Sequence, residues 1–261
     1  MNERTVSVRG GMFSIQIHEA GSGQPTLFLH GDLLPPAPYP WMDQLAVDRH
    51  LLAPQHPGFG KSTGLEHLDD VADLTIYYLD FLDALEIEAC DLIGESFGGL
   101  LAAELAALAP HRVRRLALVA PFGLWLDDLP TTDVFALPAL DLHQLCWSDP
   151  ASTIAREFAP DADDEAQQWR RSIERARSLA AAGKFLWPIP DKGLRKRIHR
   201  ITAPTLLLWG DRDRIIPPGY AAMFQQNIRS SELVFVAQAG HFPLLEQSTE
   251  SLAAIRRFLS G

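Results

Sequence analysis

Two patterns of apolar positions alternate along this chain. Residues 5–9 and 12–19 are short alternating runs on either side of Gly10-Gly11, which predicts an opening β-hairpin. Residues 26–29, 50–53, 90–93, 114–119, 205–209 and 232–236 are short and mostly apolar, as strands buried on both faces are. Between 67 and 86, Val71, Leu74, Tyr78, Leu82 and Leu85 recur three or four apart, one face of a helix. Residues 100–108 are rich in Ala and Leu and stop at Pro110, and Leu252, Ile255 and Phe258 mark a last helix. Strands alternating with helices predict a mainly parallel sheet covered on both sides.

The alternation lapses once. From about Pro121 to Thr202 no strand pattern occurs, and Trp169, Ile173, Ala176 and Ala180 form the clearest helical stripe there. Ala203-Pro204 then leads back into a strand. The expected organisation is one α/β core, residues 1–121 and 203–261, interrupted by a helical insertion over 122–202.

Composition narrows the field. With 47% hydrophobic and 21% charged residues the 261-residue chain can bury a core, which excludes a disordered tail, a collagen-like repeat and a coiled coil. The net charge of −10 argues against nucleic acid as a partner. Locally the balance reverses: ten basic residues between Arg170 and Arg200 face only Glu174 and Asp191. They interleave with apolar residues, without an aromatic ladder for bases, so solvated helix faces are the expectation. Cys90 and Cys146 are the only cysteines, which suits a reducing compartment. The first residues show no secretory pattern and no apolar run approaches the roughly 18–20 residues of a membrane span. A cytoplasmic protein with no membrane partner is expected.

The strongest chemical signal is Gly94-Glu95-Ser96-Phe97-Gly98-Gly99, placed between a predicted strand and a predicted helix. A serine on such a turn is pushed clear of the sheet, and the helix N-terminus offers positive charge to an oxyanion. A serine nucleophile needs a base, and the base needs an orienting acid. Gly210-Asp211-Arg212-Asp213 follows one late strand and Gly240-His241 follows the next. Both therefore lie beyond strand C-termini, where open parallel sheets gather their reactive groups. Ser96, an acid and His241 thus reach one rim.

His30-Gly31, Pro57-Gly58-Phe59-Gly60-Lys61-Ser62, the Ser96 turn, Gly210–Asp213 with Pro217, and Gly240-His241 together resemble the α/β-hydrolases of the capped, cofactor-independent type. The resemblance implies an eight-stranded, mainly parallel sheet flanked by helices, with a helical cap inserted after strand 6. It selects Asp213 as the acid over Asp211 and Asp127. It implies oxyanion donors at the backbone N–H groups of Phe97 and of Asp32, with Leu33 as the alternative, and a bracing role for His30. Leu33, Phe122, Trp125, Trp147, Trp187 and Phe242 are the candidate substrate-lining residues.

The expected activity is hydrolysis of a small or medium apolar ester or lactone through an acyl-serine, with a small-molecule substrate and no cofactor. Serine at the turn argues against the epoxide hydrolases and haloalkane dehalogenases, which place aspartate there. The meta-cleavage-product (C–C bond) hydrolases are the alternative. Their usual Gly-Asn-Ser-Met-Gly-Gly turn and the tryptophan after the histidine are replaced here by Glu95, Phe97 and Phe242. Perhydrolysis is a further option, and a hydrolase-like small-molecule receptor is the non-enzymatic one. No metal is expected: Asp161, Asp163, Asp164 and Glu165 lack the glycine of a calcium loop and read as acids at a helix start. His143 and Cys146 lack partnering ligands.

Overall fold

The computed structural model describes residues 1–36, 38–161, 164–189 and 191–261. Eight strands form one sheet: β1 Asn2–Val8, β2 Phe13–Ala20, β3 Gln24–Leu29, β4 Arg49–Pro54, β5 Cys90–Glu95, β6 Val113–Val119, β7 Thr205–Gly210 and β8 Ser231–Val236. Their order is β1-β2-β4-β3-β5-β6-β7-β8. Only β2 runs against its neighbours; β4-β3-β5-β6-β7-β8 are parallel throughout. The hairpin bends through a short turn at Arg9–Gly11, with Gly10 and Gly11 both at positive φ.

The helices are α1 Pro40–Leu45, α2 Val71–Ala84, α3 Phe97–Leu108, α4 Ala139–Cys146, α5 Thr153–Glu157, α6 Glu165–Leu186, α7 Gly219–Asn227, α8 Pro243–Glu246 and α9 Ser248–Ser260. The apolar strands are explained by what lies on each face. Leu27, Leu29, Leu92, Leu207 and Trp209 pack into a core with α2, α3 and α7. Their neighbours Phe28, Ile93, Leu206, Leu208 and Val236 pack on the other side with α1 and α9. Both faces of the central strands β5 and β7 are buried, so period-two alternation disappears there.

Among the described residues, the chain between β6 and β7 holds α4, α5 and α6 and no strand. The α6 stripe is a correction to the sequence reading. Trp169 is 65% exposed and Ile173 53%, and Ala176 and Ala180 also face solvent. The buried positions of α6 are Ser178, Ala181, Ala182, Phe185 and Leu186. Periodicity identified the helix, but its first half stands clear of the core. The helix begins on Asp164, whose side chain accepts from the Ala166 N–H, as an acid at a helix start should. Asp163 lies outside the described residues.

Much of the basic stretch is spent inside the fold. Arg171, Arg175, Lys184 and Arg200 donate to the carbonyls of Ala159, Leu137, Leu65 and Ala107. Arg197 forms a two-pronged bridge to the buried Glu104 of α3, at 2.7 and 2.6 Å. Truncating the arginine strands a buried carboxylate, so Arg197→Ala is expected to cost about 3–5 kcal/mol in a urea melt. A loss below about 1 kcal/mol would contradict this account of the pair.

Candidate active site

Ser96 is the sharp corner between β5 and α3, at φ 54 and ψ −117. A residue with a Cβ adopts this backbone only under strain, about 1–3 kcal/mol, held by its surroundings. Here the surroundings are explicit. The Ser96 N–H donates to Val119 O at 2.9 Å, and its carbonyl accepts from Gly99, Leu100 and Phe122. The flanking glycines supply clearance. A Cβ at Gly98 would sit 2.1 Å from Leu29 O, and one at Gly94 would sit 2.4 Å from Gly98 O. Gly98→Ala is therefore expected to cost about 4 kcal/mol or more, read as loss of soluble folded protein.

Three strand ends converge above this corner. His241 Nε2 lies 2.9 Å from Ser96 Oγ, and His241 Nδ1 lies 2.9 Å from Asp213 Oδ2. Asp213 Oδ1 accepts from the N–H groups of Ile215 and Ile216, at 2.8 and 3.0 Å, so one oxygen is left for the ring. All three side chains are buried. Burial pulls the His241 pKa down, but Asp213, Glu95 and Asp32 together raise it above the ordinary histidine value. Asp213 occupies the place beside the histidine; Asp211 is exposed, and Asp127 accepts instead from Trp125 Nε1.

Behind the serine lies the turn after β3. His30 Nδ1 donates to Gly31 O, and its Nε2 accepts from the His56 N–H. His56 Nε2 donates back to His30 O, and its Nδ1 accepts from Tyr78. Burial holds both rings neutral, with His30 down to about 4. Two imidazoles thus brace the turn that carries Asp32. Asp32 itself is 1% exposed, with Oδ1 3.2 Å from Ser96 Oγ.

The α/β hydrolase fold model matches residues 24–248 of the chain. The protein belongs to this family. This hydrolase is 28% identical to a 2-hydroxy-6-oxo-2,4-heptadienoate hydrolase of Pseudomonas putida, over 97% of its own length and 95% of the relative's. It is also 28% identical to a pimeloyl-[acyl-carrier protein] methyl ester esterase of Aeromonas salmonicida, over 94% and 99%. In fold it matches a bacterial membrane phospholipase A with a TM-score of 0.83 at 24% identity, covering all of this chain and 86% of that one. Among the described residues of the hydrolase, no helix is long and apolar enough to cross a membrane.

The six candidate lining residues separate into different settings. Phe122, Trp147 and Phe242 are buried, with Trp147 and Phe242 ring centres 5.0 Å apart beside the histidine. Leu33 and Trp125 are half-buried. Trp187 is 56% exposed and packs edge-on against Phe135. Sequence reasoning missed three features of the hydrolase's site. The His30–His56–Tyr78 relay joins residues far apart in sequence. Cys146 O accepts from the His241 N–H at 2.7 Å, a backbone contact no side chain betrays. The third is a pair of buried acids, Asp32 and Glu95, whose proximity only the fold reveals; burial and the nearby Asp32 push the Glu95 carboxyl up to about 7.

Proposed function

We propose that this hydrolase cleaves small or medium apolar carboxylic esters or lactones through an acyl-serine intermediate. The single observation that carries the reading is the continuous Ser96–His241–Asp213 chain, 2.9 Å at each link, on a strained corner at the helix N-terminus. Ser96 Oγ attacks the carbonyl carbon while His241 Nε2 takes its proton. Asp213 keeps Nδ1 protonated and stabilises the imidazolium. The backbone N–H groups of Phe97 and Asp32 receive the oxyanion, which is worth about 10²–10³ in rate per donor. The tetrahedral centre collapses, and His241 gives its proton to the departing alcohol. Water, activated by His241, then releases the acid and frees Ser96. The segment between β6 and β7 acts as the cap, with Phe122, Trp147 and Phe242 offering apolar surface to the acyl group.

C–C bond hydrolysis is the second reading, supported by similarity to the heptadienoate hydrolase along nearly the whole chain. Glu95, Phe97 and Phe242 depart from the usual turn of the C–C bond hydrolases and from the tryptophan after their histidine, which favours the ester. A panel of p-nitrophenyl esters, lactones and vinylogous 1,5-diketones tests the choice. Turnover of esters or lactones with an apolar acyl part, lost in Ser96→Ala, is the expected result. Turnover confined to the diketones would overturn it, and ligand binding without turnover would make the protein a receptor.

A further inference from the structure

Ser96 Oγ has two neighbours competing for one proton. Its hydroxyl lies 2.9 Å from His241 Nε2 and 3.2 Å from Asp32 Oδ1. It can donate to one of them only. If Asp32 is ionised and takes that hydrogen bond, His241 Nε2 must be protonated to fill the other contact, and an imidazolium cannot act as base. If Asp32 is neutral, its own O–H is free to donate and Ser96 points its proton at His241. The two arrangements contain the same number of protons and differ only in where one of them sits.

Burial disfavours the charge on Asp32. The carboxyl is buried and Oδ2 has no hydrogen-bond partner among the described residues. It is also aimed where an oxyanion would form: the N–H groups of Phe97 and of Asp32 itself lie close enough to stabilise its charge. Glu95 at the end of β5 is likewise buried, with Oε1 unpartnered. The groups acting on Asp32 from the surrounding elements are Glu95 and Ser96 on the β5 corner, and His241 beyond β8. Asp213 lies beyond β7, and the neutral Cys146 thiol comes from α4. His30, two residues before it in the chain, is neutral. Burial raises the Asp32 pKa, and the opposing pull of His241 and the hydrogen bonds does not cancel it.

We propose that Asp32 is a further catalytic residue of this hydrolase, its neutral carboxyl donating an O–H hydrogen bond to the substrate's carbonyl oxygen, and its ionised form occupying that place and idling the serine. The inference rests on the serine-hydrolase reading and adds a side-chain donor to the two backbone ones. During attack the Ser96 proton goes to His241, and the carbonyl π pair moves onto oxygen. That oxygen is held by the Asp32 O–H and the two N–H groups. The Asp32 proton stays on its carboxyl, so no charge is left over when the intermediate collapses. A carbonyl oxygen only accepts hydrogen bonds, so substrate selects the arrangement in which Asp32 is neutral.

The consequence is a bell-shaped pH profile. At low pH His241 is protonated and there is no base. At high pH the shared proton is lost and a carboxylate faces the oxyanion. Two readouts test this: kcat/KM on a p-nitrophenyl ester, and the rate at which a fluorophosphonate labels Ser96. The second uses the same oxyanion pocket without requiring turnover. Asp32→Asn keeps an N–H donor but cannot ionise, so its alkaline limb should vanish in both readouts, leaving a plateau above wild type at high pH. Asp32→Ala should show the same plateau about 10²–10³ lower than Asp32→Asn, the loss of one oxyanion donor. Glu95→Gln removes a neighbouring negative charge, so the alkaline limb should remain but move to lower pH.

An unchanged alkaline limb in Asp32→Asn, equal plateaus for Asn and Ala, or disappearance of the limb in Glu95→Gln would each overturn the inference. Should Asp32→Ala fail to fold, the Asn and Gln profiles decide. Labelling with the expected profiles but no ester or lactone turnover would remove the substrate assignment and leave the role of Asp32 standing. Turnover with an unchanged limb in Asp32→Asn would do the reverse.

Discussion

Replacing Ser96 with alanine is expected to lower kcat/KM on short-chain p-nitrophenyl esters by about 10⁴–10⁶ while leaving the thermal transition in place. The size of the loss follows from the chemistry. Without the hydroxyl no acyl-enzyme forms, and what remains is whatever the oxyanion donors and binding confer on direct attack by water. The fold should survive because the change removes one oxygen from a residue fixed by its backbone. Its N–H bond to Val119 O and the three bonds to its carbonyl are untouched. Alanine at φ 54 is no easier than serine there, so a small loss of stability is compatible with the expectation. Esterase activity within tenfold of wild type in a folded Ser96→Ala protein would end the assignment of Ser96 as nucleophile.

The second large effect is expected at Asp213, where asparagine should cost about 10⁴ in kcat. The structure dictates why a change of one atom matters so much. Two backbone N–H groups, from Ile215 and Ile216, hold one oxygen of the carboxylate. In asparagine the carbonyl oxygen must take that position, so the NH2 group faces His241 Nδ1. Two donors cannot meet, and the ring is driven to the tautomer with its proton on Nε2. That tautomer has nothing with which to accept the serine proton. Asp211→Asn and Asp127→Asn serve as comparisons and should stay within about twofold of wild type, since neither contacts the ring and surface substitutions of this kind cost little. Loss of activity at either, with Asp213→Asn near wild type, would move the acid elsewhere.

The α/β-hydrolase fold was legible because its strands are short, apolar and regularly punctuated. The opening hairpin, the strands of a mainly parallel sheet and the helices α2, α3 and α9 follow from those runs and from the burial rules of parallel sheets. Ser96 and His241 stood out because glycines crowd the turns beside them, and glycine is visible in a sequence; Asp213 was set apart from Asp211 by the resemblance to the α/β-hydrolases. Three things were not legible. The stripe on α6 gave the helix but not its buried face, because apolar spacing is silent about which neighbours exist. The brace between His30 and His56 depends on strands β3 and β4 being adjacent, a pairing found only in the folded sheet. Asp32 was noticed for its backbone N–H; the direction of its side chain is set by packing around Ser96, to which the order of residues gives no access.

The attachment of α4 to the rim has a consequence for how such enzymes can be rebuilt. Residues 144–148 are bound to the loops that carry the histidine and the acid. Cys146 O accepts from the His241 N–H, and Ser148 joins Glu246 and Gln238. Arg214 reaches Gln144 O and Trp147 O. In the exposed first half of α6, Arg171 and Arg175 reach instead the carbonyls of Ala159 and Leu137. A chimaera that exchanges residues 165–177 for those of a relative should therefore keep its turnover, with its machinery intact. One whose junction falls inside 144–148 should lose turnover even with Ser96, Asp213 and His241 all present. The insertion is modular along only part of its length, and the boundary of the exchangeable module is drawn by hydrogen bonds rather than by the ends of the neighbouring strands.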